Sequence, residues 1–327
     1  MADTKKKQLG VVCLPIKIQD SLPAQKILES ENIFVMTEYR AMHQDIRPLN
    51  VLVLNLMPTK IETETQLLRK LSNTPLQVEV EFLQTASYHP THVSASHLDT
   101  FYTVFEDIKD RKFDGMIITG APLDHTEFED VSYWKEISEI MEWSKTHVHC
   151  TLHMCWGAFA GLFYHYGIQK VNLDEKLSGV YEHTVIKKNS PLFRGFDDVF
   201  YCPQSRAMTV LQEDVAAIRQ LEVMAVSEEA GVTIVKTQDS RQFFITGHLE
   251  YDSDTLSKEY HRDLGKGMDP AIPVNYFPDD DPSKEPIVRW RSAGQLFYSN
   301  WLNYYVYQST PYDVNRINDR GKVTDYN

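Results

Sequence analysis

Cys155, His248 and Glu250 have the types and the spacing for nucleophilic chemistry. Cys155 stands just after Val148–His153, which reads as a strand, and directly before Trp156–Tyr166, which reads as a helix. A cysteine at such a corner, with small Gly157 two positions on, makes a nucleophile elbow: the sharp turn exposes the sulfur, and the helix N-terminus favours its thiolate. The next backbone N–H, that of Trp156, is placed to hold an oxyanion. Such a nucleophile needs a base, and the base an orienting group. Gly247-His248-Leu249-Glu250 follows a strand, Gln242–Ile245. Residues two apart on extended backbone point the same way, so Glu250 can hold the His248 imidazole in the productive tautomer. Each residue alone has an ordinary alternative, since free cysteine fills buried corners and His beside Glu is common on surfaces. The three together, at strand ends, carry the reading.

His147, His149, His153 and Cys150 raise a metal site as a second reading. On one strand the three imidazoles would share a face, but neither a zinc-type spacing nor a carboxylate partner accompanies them. They are read as core or surface histidines, and no metal is assigned.

These residues need a scaffold that gathers strand ends. Val51–Leu56 is an apolar run stopped at Met57-Pro58, and Ile61–Leu71 follows with Leu67, Leu68 and Leu71 at helical spacing. Val78–Phe82 alternates as a strand, and His97–Lys109 reads as a helix. Gly115–Thr119 is a buried strand closed by Gly120-Ala121-Pro122, and Val131–Lys145 is an amphipathic helix with Trp134, Ile137, Ile140 and Met141 on one face. This alternation predicts an α/β fold with a mainly parallel sheet flanked by helices. In such a sheet function collects at the carboxyl ends of strands, here Asn55–Pro58, Thr119–Asp124 and His153–Gly157. The second half is richer in strand, with Thr237–Ser240 as a hairpin turn between Val232–Val235 and Gln242–Ile245. Thr255–Leu264 and Ala293–Tyr307 read as helices. Residues 1–34 read as an N-terminal arm, 35–313 as a single domain and 314–327 as a tail.

The 327 residues carry 33 Lys+Arg against 46 Asp+Glu, a formal charge of −13. That surface repels phosphate backbones and anionic lipid heads, which argues against nucleic acid or membranes as partners. Cys13, Cys150, Cys155 and Cys202 show no disulfide-framework spacing and read as reduced thiols of a cytoplasmic protein. No apolar leader develops in the charged start. Thr146–Gln169 lacks Asp, Glu, Lys and Arg but holds His147, His149, His153 and His165, which speaks against a membrane span.

A cysteine elbow followed far downstream by His-x-Glu resembles the class I glutamine amidotransferase-like (flavodoxin-like) fold. Over about residues 14–313 the chain resembles, more closely, the homoserine O-acyltransferase family of methionine biosynthesis. Glu31–Met36, His43–Pro48, Leu54–Pro58, Glu62–Leu67, Ile118–Pro122, His153–Gly157, Gly247–Tyr251 and Ser299–Asn303 carry the likeness. The resemblance implies that residues 35–313 are an acyltransferase domain, with an acyl-enzyme on Cys155, His248 as proton acceptor and Glu250 supporting it. It implies substrate contacts from Lys176, Ser205 and Arg262, which suit the carboxylate, hydroxyl and amine of an amino-acid acceptor. It further implies acyl-CoA as a substrate, no permanently bound cofactor, and a homodimer. Arg289 and Arg291 offer charge to the phosphates of coenzyme A, or form an ordinary solvated pair.

Members of the family divide by acyl donor at the position after Gly-Ala-Pro-Leu, where Gly resembles succinyl-transferring and Glu acetyl-transferring members. Asp124 stands there. Like charge at ~4 Å is worth about 4 kcal/mol near a surface, against ~1 kcal/mol for the methylene that aspartate lacks. Acetyl-CoA is therefore the expected donor and succinyl-CoA the alternative. Two departures bear on the acceptor: Gln204 where the family usually has His, and Phe159 where Gln is often found. If both border the acceptor pocket, Phe159 makes it smaller and more apolar, which keeps serine open beside L-homoserine. The expected reaction is transfer of acetyl from acetyl-CoA to the hydroxyl of homoserine. A glutamine amidohydrolase using the same triad and a catalytically silent binding protein are the rivals from other classes.

Overall fold

The computed structural model describes residues 47–87 and 94–319, with the backbone of Lys17–Ile18 and Met36–Thr37. The rest of the expected arm over 1–34, Cys13 included, lies outside the described residues, as does the end of the tail beyond Asp319. The chain divides into two units, Met1–Pro48 with Thr74–Gln77, and Leu49–Asn73 with Val78–Asn327. In the first, Lys17–Ile18 (β1) pairs in parallel with Met36–Thr37 (β2).

The second unit holds all the candidate chemistry. It opens with Leu49–Leu54 (β3), Lys60–Leu71 (α1), Val78–Gln84 (β4), Ala95–Phe101 (α2), Tyr102–Val104 (β5) and Phe105–Ile108 (α3). Phe113–Ile118 (β6), Trp134–His147 (α4), Val148–Met154 (β7) and Trp156–Tyr166 (α5) follow. Then come Val171–Val185 (β8), Val199–Thr209 (β9), Gln212–Ala217 (α6), Leu221–Ser227 (β10), Gly231–Thr237 (β11) and Gln242–Ile245 (β12). Thr255–Gly265 (α7) and Arg291–Asn300 (α8) close it, and α8 runs on as a π-helix over Trp301–Tyr307.

Ten strands form one sheet in the order β5-β4-β3-β6-β7-β12-β11-β10-β8-β9. From β5 to β12 every pairing is parallel. Beyond β12 every pairing is antiparallel. The fold is therefore mixed α/β: a doubly wound parallel core carries an antiparallel wing. Within the core, β4-β3-β6-β7-β12 follow the flavodoxin-type order, in which ligands bind beyond the carboxyl ends of the strands. β6 and β7 are buried at every position, as parallel strands covered on both faces must be. α4 buries Ile137, Ile140, Met141 and Trp143, whereas α5 is buried from Trp156 through Leu162. Gly167 ends α5 in the left-handed conformation at φ 70°, its N–H turned back to the Leu162 and Phe163 carbonyls.

Two expectations need correction. His97–Lys109 is not one helix, because Tyr102–Val104 interrupts it as an edge strand against β4. The Tyr102 ring is buried, its hydroxyl donates to Glu64 (2.6 Å) and accepts from Asn55 (2.9 Å), and β-branched Thr103 and Val104 favour extended backbone. Nor do His147, His149 and His153 share a strand face, since His147 ends α4. His149 meets the Ser309 hydroxyl (2.9 Å), and His153 lies fully buried against Phe244 with ring centroids 4.7 Å apart. Among the described residues no group of three or more His, Cys, Asp or Glu is arranged to hold a metal ion. No described helix is long and apolar enough to cross a membrane.

Burial lowers the titration of His153, His165 and His183, the last two to about 4. A histidine depressed on folding takes a proton more readily in the unfolded chain. Its contribution to stability is full above about pH 6.5 and is lost as the pH falls towards about 4. The expected loss is about 2 kcal/mol per such histidine between about pH 7 and about pH 5. Urea unfolding of the wild type and of His165→Phe should show the variant less pH-dependent by about that amount.

Candidate active site

Cys155 joins β7 to α5 with φ 48° and ψ −119°. A non-glycine residue held there stores on the order of 1–3 kcal/mol of strain. The surroundings impose it: the Cys155 N–H donates to the Ile245 carbonyl at the end of β12 (2.7 Å), and its carbonyl accepts from Ala158 and Phe159 in the first turn of α5 (2.9 and 3.2 Å). Gly120, at the end of β6, lies against this corner. A Cβ there would stand 3.1 Å from the Cys155 Cβ and 3.7 Å from the Trp156 nitrogen, so the glycine leaves room beside sulfur and N–H.

His248 comes from the turn after β12. Its N–H donates to the Pro203 carbonyl on β9 (2.8 Å). That approach requires Gly247, where a Cβ would meet the Cys202 sulfur at 2.5 Å and the Gln204 amide at 2.6 Å. The Nδ1 of His248 meets Glu250 Oε1 at 2.5 Å, and the ring stacks on Tyr251 with centroids 4.1 Å apart. Burial opposes a charge on His248. The Cys155 sulfur, to which it hydrogen-bonds, and the Glu250 carboxylate outweigh burial and hold the imidazole well above its ordinary value. Cys202, by contrast, is fully buried and its thiol is pushed far up. Cys155, His248 and Glu250 are thus one connected, buried set.

Lys176, Ser205 and Arg262 gather as well, from β8, β9 and α7, around two carboxylates that the sequence reading missed. Ser205 donates to Glu259 Oε2 (2.5 Å), and Lys176 Nζ lies 3.9 Å from Glu259 and 3.8 Å from Asp263. Arg262 Nε donates to Asp263 (2.8 Å). Tyr251, stacked on His248, donates to Glu259 Oε1 (2.8 Å), which links this cluster to the cysteine–histidine pair. Glu259, Arg262 and Asp263 stand three and four apart on α7, so helical spacing was the available signal.

Asp124 follows β6. Its Oδ2 accepts from the Ala207 N–H on β9 (2.8 Å). Next to Ala207, Arg206 is fully buried; burial lowers its titration to about 10, opposed first by Cys155 and then by Asp124. Its guanidinium donates to Gln204 and to the Met208 and Ala230 carbonyls, and lies 5.7 Å from the centre of the Phe159 ring. Gln204 and Phe159 are 0% and 1% exposed, and both pack against Arg206. Gln204 also meets His183 (3.3 Å). Arg289 packs over the Tyr201 ring at 5.6 Å, and Arg291 is exposed.

The doubly wound sheet, with a cysteine after β7 hydrogen-bonded to His248 and His248 in turn to Glu250, belongs to a mixed α/β fold related to that of glutamine amidotransferase-like structures. A glutamine amidotransferase from Thermotoga maritima shares the fold, at TM-score 0.52 and 13% identity over 78% of this chain and 97% of its own. The family model described as homoserine O-succinyltransferase matches residues 15–312. The homoserine O-acetyltransferase of Petrotoga mobilis is 57% identical over 93% of this chain and 98% of its own. That of Methanomethylophilus alvi is 58% identical over the same shares. The chain belongs to this homoserine O-acyltransferase family.

Glu250 is expected to act on the sulfur through His248, whose charged form it favours. In Glu250→Gln the shape stays and the carboxylate charge goes, so His248 should titrate lower and support the thiolate less. Alkylation of Cys155 by iodoacetamide near neutral pH should slow by about 10- to 100-fold. Mass spectrometry of the Cys155 peptide over time measures the rate.

Proposed function

We propose that the chain moves an acetyl group from acetyl-CoA to the hydroxyl of L-homoserine, for methionine biosynthesis, through a thioester on Cys155. The observation that carries this reading is the juxtaposition of a Cys–His–Glu set with a mixed-charge cluster, in a chain more than half identical to homoserine O-acetyltransferases. In it Cys155 occupies a nucleophile elbow. The thiolate attacks the acetyl-CoA carbonyl, and the Trp156 N–H at the start of α5 stabilises the oxyanion. The C–S bond to CoA breaks, and the His248 imidazolium protonates the departing thiolate. The homoserine hydroxyl then gives its proton to His248 as its oxygen attacks the acyl carbon. The ester leaves and the Cys155 thiolate returns. Glu250 holds the imidazole in orientation and favours its charged form. Lys176 and Arg262 suit the acceptor's carboxylate, Glu259 its ammonium, and Ser205 adds a hydroxyl.

Acetyl-CoA without acceptor should leave an acetyl increment on the Cys155 peptide. Cys155→Ala should abolish transfer, and His248→Ala should cost about 10²–10⁴-fold. An increment on another residue, or sequential kinetics with no covalent species, overturns the mechanism.

The donor reading rests on Asp124. Asparagine at this position keeps an oxygen for the Ala207 N–H and removes the charge, whereas glycine removes both. If like charge rejects succinyl-CoA, Asp124→Asn should already accept it, and Asp124→Gly should add only a modest further gain in kcat/KM. Strict acetyl preference in the Asn variant would make bulk the discriminator.

A further inference from the structure

We propose that Lys170 is a positioning residue for acyl-donor selection, acting by holding the loop that carries Asp124. Lys170 lies just past the C-terminal end of α5, and its side chain is 4% exposed. Its ammonium donates to the Asp124 carbonyl (2.8 Å) and the Thr126 carbonyl (2.7 Å), and lies 3.6 Å from the Glu127 carboxylate. It also sits 5.4 Å from the centre of the Phe128 ring, which packs edge-on against Trp156. One buried cation thus spends its hydrogen bonds on a single turn of chain. A buried ammonium is tolerated only where it is fully bonded, so displacing that turn would strand the charge and two carbonyls together.

The loop is fixed at three places. Gly120 abuts Cys155, Lys170 grips the main chain at Asp124 and Thr126, and the Asp124 carboxylate takes the Ala207 N–H. Ala207 locates the carboxylate only if the main chain beneath it stays put; the loop's own bond from the Thr126 N–H to the Leu123 carbonyl (3.1 Å) shapes that main chain, and Lys170 ties it to the end of α5. The inference rests on the reading of Asp124 as donor discriminator.

The test is single-turnover acylation of Cys155 by acetyl-CoA and by succinyl-CoA, read by mass spectrometry. It compares wild type, Lys170→Met, Lys170→Arg, Asp124→Asn and the double variant Lys170→Met/Asp124→Asn. The acetyl-to-succinyl rate ratio should fall about ten-fold in Lys170→Met and recover in Lys170→Arg, which keeps the charge and the donors. The double variant should match Asp124→Asn rather than the product of the single effects. A ratio unchanged in Lys170→Met overturns the proposal, however much rate or Tm declines, because loss of stability alone does not change donor preference. If Asp124→Asn shifts the ratio in that same set, the donor reading stands and only the role of Lys170 falls. If Asp124→Asn leaves the ratio unchanged, the donor reading itself falls, and the inference with it. Independent, multiplying effects would place the action of Lys170 elsewhere and also overturn it. Should Lys170→Met fail to fold, Lys170→Gln, which can bond only one of the two carbonyls well, is judged by the same ratio.

Discussion

The hydrogen bond from the Cys155 N–H to the Ile245 carbonyl ties the two halves of the candidate site together. β7 and β12 run parallel with Met154 opposite Ile245, so their carboxyl ends finish level. The next residue of β7 is the cysteine, and three residues past the end of β12 comes the histidine. With antiparallel strands the two would lie at opposite edges of the sheet. The bond also accounts for the unusual backbone of Cys155. Its N–H continues the ladder to β12 while its carbonyl already begins α5, and one residue serving both elements is left at φ 48°. The strain is held by hydrogen bonds on both sides of the residue.

Charge is the second constraint. The region around Cys155 keeps Arg206, His248 and Glu250 almost wholly out of water. Isolated charges at such depth would neutralise. Here each is answered: Arg206 by carbonyls and the Gln204 oxygen, and His248 by sulfur on one side and carboxylate on the other. Glu250 takes the imidazole through Oε1, and the buried Tyr298 hydroxyl hydrogen-bonds to the same carboxylate. Lys70, buried on α1, supplies positive charge towards it; burial lowers that lysine and Glu250 is the foremost influence raising it. The carboxylate is therefore countered by long-range charge on one side and by a hydrogen-bonded imidazole on the other.

What was legible in the sequence follows from how local each contact is. The α5 boundaries, Trp156 to Tyr166, could be read because a strand, a cysteine and a glycine stop punctuate them. His248 and Glu250 could be read because they are two residues apart. The paired strands β8 and β9 were not delineated: β8 exposes much of its first half, so its pattern resembles a loop. The helix drawn through Tyr102 failed because a hydroxyl bound to Asn55 and Glu64 outweighed local propensity. Glu259, Arg206 and Lys170 went unnoticed for a related reason. For Glu259 and Lys170 the partners lie far along the chain, 54 residues separating Glu259 from Ser205 and 46 separating Lys170 from Asp124, whereas Arg206 bonds mostly to its own strand and shows itself only through its burial. The family resemblance supplied Lys176, Ser205 and Arg262, but it did not show that carboxylates on α7 hold them in one cluster.

Three successive residues of β9 face three different parts of the site. Ser205 reaches α7 through its hydroxyl, the Arg206 side chain turns inward towards Cys155, and the Ala207 N–H fixes the Asp124 carboxylate. Strand alternation produces this division, because consecutive side chains leave opposite faces while main-chain N–H groups point along the sheet. β9 is an edge strand, which leaves the N–H of Ala207 available to a side chain instead of a further strand. The register against β8, with Leu177 opposite Arg206 and Ser178 opposite Ser205, sets all three contacts at once and brings Lys176 to the same cluster. A slip of one residue would send Arg206 outward and Ser205 inward, emptying the charged contacts on both sides of the sheet. The antiparallel wing, peripheral in topology, thus ties the acidic loop after β6 to the charged face of α7 across the cysteine that lies between them.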